Sequence, residues 1–356
     1  MSTTTDTTNE VARFSKKFLS EYVRQLQFSD VMGKSENHII QIRDEPMSGA
    51  GSSISIPMVG RLTNAGVTGG ATLEGSEEAL DNWGHQIDID DLANGVRWTK
   101  WEQQKTEIDY MMASRAQLKN WAMERLRDDI IAGMQSPVVD GSTEYASASE
   151  AQKDAWLLAN TDRVLFGAAK SNNASNDHSA ALANIDSTND TLDTGMISLA
   201  KRMAKTADRH IRPVKIENGA EFFVMYCNSL AFRDLAAESA MQQANRDALQ
   251  RGRDNPLFTG GDLIWDGVII KEVPEIGVIS GVGASSIDVA PNFLCGAQTI
   301  GIGWAQKTRF AVNMGNHNDY GRRVGVAVDE QRGVEKLMHN SVQNMVTVYS
   351  SGVADS

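Results

Sequence analysis

Few residues in this chain have the types and spacing that chemistry needs. Gly33-Lys34-Ser35 carries the side chains of a phosphate-cradling loop, in which backbone N–H groups and a lysine ammonium neutralise a polyphosphate. Such a loop also needs a glycine five positions before its Gly-Lys pair, and Phe28 stands there. Gly301 and Gly303 give a Gly-x-Gly, but the third small residue of a dinucleotide fingerprint is missing and no strand–helix–strand unit surrounds them. Asp88, Asp90 and Asp91, with Gly95 beyond, could ligate a hard cation. The third ligand position of a calcium loop holds Leu92, however, and the twelfth holds Thr99 in place of glutamate. The histidines (His38, His85, His178, His210, His317, His339) are scattered, with no HExxH pair and no short His/Cys cluster. There is no Gly-x-Ser-x-Gly elbow to activate a serine. Cys227 and Cys295 sit apart in the apolar runs FFVMYC and NFLCGA and read as buried small hydrophobes of a reducing compartment. The sequence therefore predicts no catalytic residue, no cofactor and no metal site.

Composition narrows the class. The chain has 356 residues, 41% of them hydrophobic, enough for two domains or one domain with long excursions. No apolar run reaches the roughly 18–20 residues that cross a bilayer, so no membrane partner is expected. The start, MSTTTDTTNEVARF, lacks the basic-then-apolar order of a signal peptide, which places the protein in a cytoplasm at first. A net charge of −12 argues against wrapping nucleic acid tightly, because that requires clustered Lys and Arg to displace counterions. It is compatible with a surface that merely faces DNA.

The elements carry more information than the reactive residues. Val11, Phe14, Phe18, Tyr22 and Leu26 recur at helical spacing and predict an amphipathic helix over Val11–Phe28, with Asn9 as a cap. Its apolar stripe needs a partner, either its own domain or a neighbouring subunit. Residues 49–95 hold nine of the thirty glycines, about twice the chain's average density. Among them SISIPM (Ser53–Met58) and QIDID (Gln86–Asp90) alternate strictly and predict half-buried strands, Pro57 restricting its strand to an edge. A long two-stranded excursion is the simplest arrangement, and an isolated hairpin needs a support. It is acidic: Glu74, Glu77, Glu78, Asp81, Asp88, Asp90 and Asp91 stand against Arg61 and Arg97. The chain then turns helical from Thr106 to about Gln135, with Thr106 and Asp109 placed as a capping box and Pro137 as the stop. Such a helix is about 45 Å long, which suggests a flat, plate-like subunit.

Beyond it the spacing predicts helices over Thr194–Arg209 and from Asn228 to about Leu249. Strands are predicted at Glu221–Tyr226, Trp265–Val273, Gln298–Trp304, Thr308–Val312, Val324–Val328 and Val334–Leu337, with a tail from Ser350 to Ser356. The fold class is α+β.

This order of elements resembles the Hong Kong 97 capsid fold of tailed bacteriophages. Two stretches make the likeness more specific: NPLFTGGDLIWDGVIIKEVPEI (Asn255–Ile276), and NFLCGAQTIGIGW (Asn292–Trp304) running through DYGRRVGVAVDEQRGVEKL (Asp319–Leu337). ATLEGSEEAL (Ala71–Leu80) is similar to the same family's loop. The resemblance covers about residues 45–340 and rests on the number and order of diffuse motifs.

It implies an N-terminal arm (1–48), an extended loop (49–100) reaching over the adjacent subunit, and a peripheral domain (101–190 and 305–349) built on a spine helix (106–135). An axial domain (191–304) and the tail (350–356) complete the chain. It further implies a major capsid protein forming hexamers and pentamers of an icosahedral virion shell around double-stranded DNA, with a portal and a decoration or cement protein as partners. About 45 residues precede the loop, too few for a large cleavable scaffold, so a separate scaffolding protein is expected. Assembly contacts are expected at Phe14, Phe18 and Tyr22 of the arm. In the loop they are expected at Ile54, Ile56, Leu73, Glu77, Glu78, Leu80 and Trp83, with the apolar members buried on assembly unless the hairpin buries them itself. Basic partners such as Arg322 and Arg323 would lie on a neighbour. From Ser35 to Thr99 there is no lysine, so the loop has no donor for a lysine–asparagine cross-link and the shell is expected to be non-covalent. The alternatives are an encapsulin-like shell around cargo enzymes, another phage structural part such as a tail or portal protein, and a cytoplasmic α+β enzyme with a deep polar pocket.

Overall fold

A computed structural model describes residues 28–44, 53–105, 109–215, 220–249, 263–313 and 319–354. Phe14, Phe18, Tyr22 and the rest of the expected arm helix up to residue 27 lie outside the described residues, as do Thr106 and 255–262.

After a two-residue strand, Met32–Gly33, comes β1 (Ile40–Asp44), which pairs with it in parallel. The alternating runs form a hairpin, β2 (Ser53–Val59) with β3 (Asn82–Asp88), in register from Ser53↔Asp88 to Val59↔Asn82. Then come β4 (Asp90–Thr99) and α1 (Lys100–Lys105), a short helix that the sequence analysis did not anticipate. Thr99 and Glu102 cap α1 reciprocally: Glu102 N donates to Thr99 Oγ1 at 3.1 Å and Thr99 N to the Glu102 carboxylate at 2.7 Å. The long helix α2 spans Tyr110–Gln135, with the Asp109 carboxylate accepting from Met111 N and Met112 N. It thus starts a turn later than expected, because Asp109 is its cap and not the third residue of a box begun at Thr106. Leu118, Ala122, Leu126, Ile130 and Met134, four residues apart, form its buried stripe.

Next are α3 (Glu150–Ala159), β5 (Val164–Phe166), α4 (His178–Ala183) and α5 (Thr194–Thr206). They are followed by β6 (Glu221–Cys227), α6 (Ser229–Ala237) and α7 (Ser239–Leu249). The break between α6 and α7, expected to be one helix, falls at Glu238. That residue is extended, and its carboxylate accepts from Thr194 N and Thr194 Oγ1, both at 2.8 Å.

The expected strand Trp265–Val273 is a tight hairpin, β7 (Leu263–Trp265) and β8 (Val268–Glu272), turned by Asp266 and Gly267 at φ 46° and 73°. The chain closes with β9 (Val289–Cys295), β10 (Ile300–Asn313), β11 (Arg323–Lys336) and β12 (Met345–Ser351).

Two expected strand pairs prove to be single long strands. β10 carries its polar middle through register shifts near Gln306. β11 continues through Asp329–Gly333 because Glu330 and Arg332 find partners inside. The expected tail is also corrected at its start: Ser350 and Ser351 are fully buried and pair with Ala290 and Val289.

Two sheets result. A five-stranded sheet runs Met32–Gly33, β1, β10, β11, β4, and a seven-stranded sheet runs β5, β12, β9, β6, β8, β7 with Val214–Lys215 beside β6. The second draws β5 and β12 into one sheet with β6–β9, so the sheets cut across the expected division at residues 190 and 304. One face of this sheet packs on α5 and α6 through Met196, Ile197, Ala200, Met203 and Leu235. The other face, Val224, Tyr226, Phe293 and Cys295, meets the second half of α2. Farther back, Leu118 of α2 packs with Trp98, Phe310, Val326 and Val328 of the five-stranded sheet. α2 therefore bridges both sheets.

Candidate functional site

The hairpin β2–β3 is seated on the body by its inward residues. Ile56, Met58 and Ile87 are buried with Leu337, and Ile54 is 4% exposed. Glycines make room for them. A Cβ on Gly301 would lie 2.7 Å from Ile87 Cδ1, and one on Gly333 would collide with the Asp88 carbonyl oxygen. The Gly-x-Gly that fails as a dinucleotide motif thus has a packing role: Gly301 faces Ile87, and Gly303 lies under Ile54 and Ile89. Glu335 of β11 clamps the far strand. Its Oε1 accepts from Asp88 N at 2.8 Å, and its Oε2 lies 3.4 Å from His85 Nε2, both side chains being buried.

Ile54 and Ile56 are therefore already covered within one chain and are not held back for assembly. Trp83 is half-buried, with the Arg209 guanidinium 4.6 Å over its ring. Past Val59 and Asn82 the loop leaves the body. Leu62, Leu73 and Leu80 are 62%, 58% and 58% exposed. Glu78 organises this outer part: its carboxylate accepts from Thr63 N at 2.7 Å, Asn64 N at 2.6 Å and Thr63 Oγ1 at 2.9 Å. Those bonds hold its carboxyl below the usual range. Glu77 accepts from Gly75 N at 2.7 Å. Both glutamates thus bond within the loop, Glu77 from an exposed position.

Arg322 and Arg323 lie at the other end of β11. Arg323 pairs with Asp319 at 3.2 Å, and Arg322 is exposed. Ten residues of strand separate Arg323 from Gly333, about 33 Å. The structure does not bring them to the hairpin of their own chain.

Beneath the seat lies a buried ionic brace that sequence reasoning missed. Arg332 donates from Nε to Glu330 at 2.6 Å and reaches Asp129 of α2 at 2.7 Å, and Thr308 Oγ1 donates to Glu330 at 2.8 Å. Burial pushes the Asp129 carboxyl up, against the pull of Arg332 and Arg125. A fully buried lysine adds to the polar interior: Lys336 Nζ donates to Ser136 O at 2.6 Å and Gln343 Oε1 at 3.1 Å, and burial brings its pKa down to about 7. Glu330 and Lys336 are fully buried, while Asp129 and Arg332 also line a cleft of about 380 Å³ with Asp88, Asp90 and Glu335. A cleft of about 490 Å³ lies between α2 and Pro291, Phe293 and Tyr349. Another of about 320 Å³ lies at the hairpin base and is lined by Arg61, Arg163, Arg209 and Arg212. Among the described residues no group of three His, Cys, Asp or Glu side chains is placed to hold a metal ion, and no helix is long and apolar enough to cross a membrane.

What this chain offers is two sheets bridged by α2 and a loop with exposed apolar residues. A family model described as phage capsid protein matches residues 2–351. The chain belongs to the phage capsid protein family. The major capsid protein of Pseudomonas phage KPP25 is 26% identical over 336 residues, covering 87% of this chain and 85% of that protein. In the capsid asymmetric unit of cyanophage Pam1, a chain with 35% identity superposes with a TM-score of 0.84, over 94% of both chains. The capsid of Ralstonia phage GP4 gives 20% identity and a TM-score of 0.71 over 92% of this chain and 90% of that one. The protein is thus a phage major capsid protein, a structural component of the virion that associates with itself into a shell. The likeness to Pam1 and GP4 extends over helices and sheets alike, consistent with the α+β class.

Proposed function

We propose that this capsid protein is a Hong Kong 97-like subunit whose copies form hexamers and pentamers of an icosahedral shell around the double-stranded DNA of a tailed phage. The observation that carries this reading is the loop from residue 60 to 81. Its base is clamped and buried, while Leu62, Leu73 and Leu80 of its outer part stay exposed in the single chain. Large apolar side chains held out on an organised loop gain most by lying on another subunit. The five-stranded sheet with α2 then corresponds to the peripheral domain. The seven-stranded sheet with α5 and α6 corresponds to the axial domain, a division drawn by sheets instead of at residues 190 and 304. Many weak contacts closing at once supply the stability, and the protein works by assembly, not by catalysis.

In this reading the shell assembles in the host bacterial cytoplasm with a separate scaffolding protein, incorporates a portal, accepts a decoration or cement protein, and faces DNA without reading its sequence. Contacts are non-covalent, since no lysine lies between Ser35 and Thr99. Electron microscopy of particles from cells producing the chain tests the proposal: icosahedral shells support it, and rings, tubes or small oligomers overturn it. Closed shells of one size from the chain alone would remove the scaffolding partner. A ladder of covalent multimers on a reducing, denaturing gel of mature particles would contradict the non-covalent lattice.

A further inference from the structure

The cleft at the hairpin base concentrates positive charge in a chain whose net charge is −12. Its lining includes Arg61, Arg163, Arg209, His210, Arg212 and His339 and contains no carboxylate. Arg163 is committed: its guanidinium donates to the carbonyl oxygens of Gln343, Asp208 and Arg209 and so builds the floor. Arg61 and Arg212 sit on the rim and hold one exposed carboxylate each, Asp208 at 3.3 Å and Glu36 at 3.1 Å. Such exposed pairs are worth only about 0–1 kcal/mol and exchange readily for a better partner. Arg209 differs. Its guanidinium carbon lies 4.6 Å from the centroid of the Trp83 ring and its Nη1 donates to the His339 carbonyl at 3.2 Å; among the described residues it has no ion pair. A guanidinium placed by a ring and one carbonyl keeps further N–H donors for a carboxylate. Its positive field, with that of Arg163, also helps to push the nearby His339 imidazole below its usual pKa, after burial itself.

The same hairpin carries the matching charge at its other end. Glu74 and Glu77 are exposed on the outer loop beside Leu73 and Leu80. That turn is carried away from its own cleft, because the loop leaves the cleft at Gly60 and Trp83 and Glu78 ties Thr63 and Asn64 farther out. A basic patch and an acidic patch at different places on one molecule make a head-to-tail contact between copies. Such a contact closes into rings when the rotation allows. We propose that the cleft formed by Arg61, Arg209 and Arg212 is the receptor for the Glu74–Glu77 turn of a second copy of this chain, with Arg209 as its central carboxylate ligand. This inference rests on the shell-forming reading and deepens it: it names where the loop lands.

Arg212→Lys tests it, since it places an amine on the rim and keeps the charge. Shells are built from equal amounts of isotopically light and heavy protein and treated with a water-soluble carbodiimide, which joins amines to touching carboxylates. After digestion, the expected product links position 212 to Glu74 or Glu77 in mixed light–heavy pairs, in shells and not in dissociated subunits. A link from position 212 to Glu36 of its own chain is expected in shells and subunits alike. Shells that form but lack the link to Glu74 or Glu77 of a second copy, or that join position 212 to other carboxylates of a second copy, overturn the docking and leave the capsid reading standing. Links to Glu74 or Glu77 only within one copy mean that the loop folds back on its own cleft and also overturn it. A chain that forms no shells overturns both. As a second variant, Arg212→Glu is expected to lower shell yield at least ten-fold, and Glu74→Arg with Glu77→Arg in the same chain to restore it. No recovery counts against the pairing.

Discussion

Glu335 and His85 meet inside the protein, 3.4 Å apart, one from the long strand β11 and the other from the hairpin strand β3. The other oxygen of Glu335 takes the Asp88 N–H at 2.8 Å. One buried carboxylate therefore joins the projecting loop to the sheet that supports it. Glu335→Ala leaves that N–H without a partner, which costs about 1–3 kcal/mol. Denaturant unfolding should show this loss, and limited proteolysis should cut the hairpin faster than in the parent. Equal cleavage rates would mean that the apolar seat alone holds the loop.

Gly333 is the tightest point of that seat, where any Cβ meets the Asp88 backbone. Gly333→Ala should force β3 off the sheet and expose Ile87, now fully buried. Hydrogen exchange over 82–88 should rise markedly while α2 stays protected. Unchanged exchange would show that the hairpin sits farther from β11 than described.

Much of this architecture was legible from side-chain periodicity, and the misses have physical causes. The four-residue spacing of Leu118, Ala122, Leu126 and Ile130 gave away α2, and the alternation in SISIPM and QIDID gave away the hairpin. Periodicity failed where polar residues run through a buried strand: Glu330 and Arg332 look like a break in β11, and only their mutual pairing lets the strand continue. It failed again at Ser350 and Ser351, small polar residues that read as a tail yet finish a central strand. Leu73 and Leu80, expected as contact residues of the loop, are exposed in the single chain. Ile54 and Ile56 are not, because the seat that buries them needs Gly301, Gly303 and Gly333 from a distant part of the chain. The arginine cleft, drawn from positions 61, 163, 209 and 212, leaves no local pattern at all.

Arg332 is the hub of the buried brace. Arg332→Met strands the Glu330 carboxylate, which is fully buried, and should cost about 3–5 kcal/mol. Adding Glu330→Gln removes the stranded charge and should recover most of that loss. Calorimetry of the single and double variants checks this, and an additive result would show that the two residues do not act as a pair.

Lys336 predicts a pH dependence. Its pKa of about 7 in the folded chain lies below the ordinary lysine value near 10.4. Between those values the unfolded chain holds a proton that the folded chain has released, so stability rises with pH from about 7. Burial pushes the Cys295 thiol up to about 12 and that of Cys227 higher. Unfolded thiols ionise from about 8.5 upward and reverse the trend, which leaves a window of about pH 7 to 8.5. Wild-type stability should climb there by at most about 1.4 kcal/mol per pH unit. Lys336→Met should flatten the climb. A slope that survives the substitution would assign it to other groups.

The most direct measurement is a cryo-electron microscopy reconstruction of the assembled particle. It should show an icosahedral shell of six- and five-fold rings in which residues 60–81 of each subunit lie on the next, with Leu73 and Leu80 buried there. A particle without that symmetry, or a shell in which the loop stays on its own subunit and those leucines face solvent, would contradict the account.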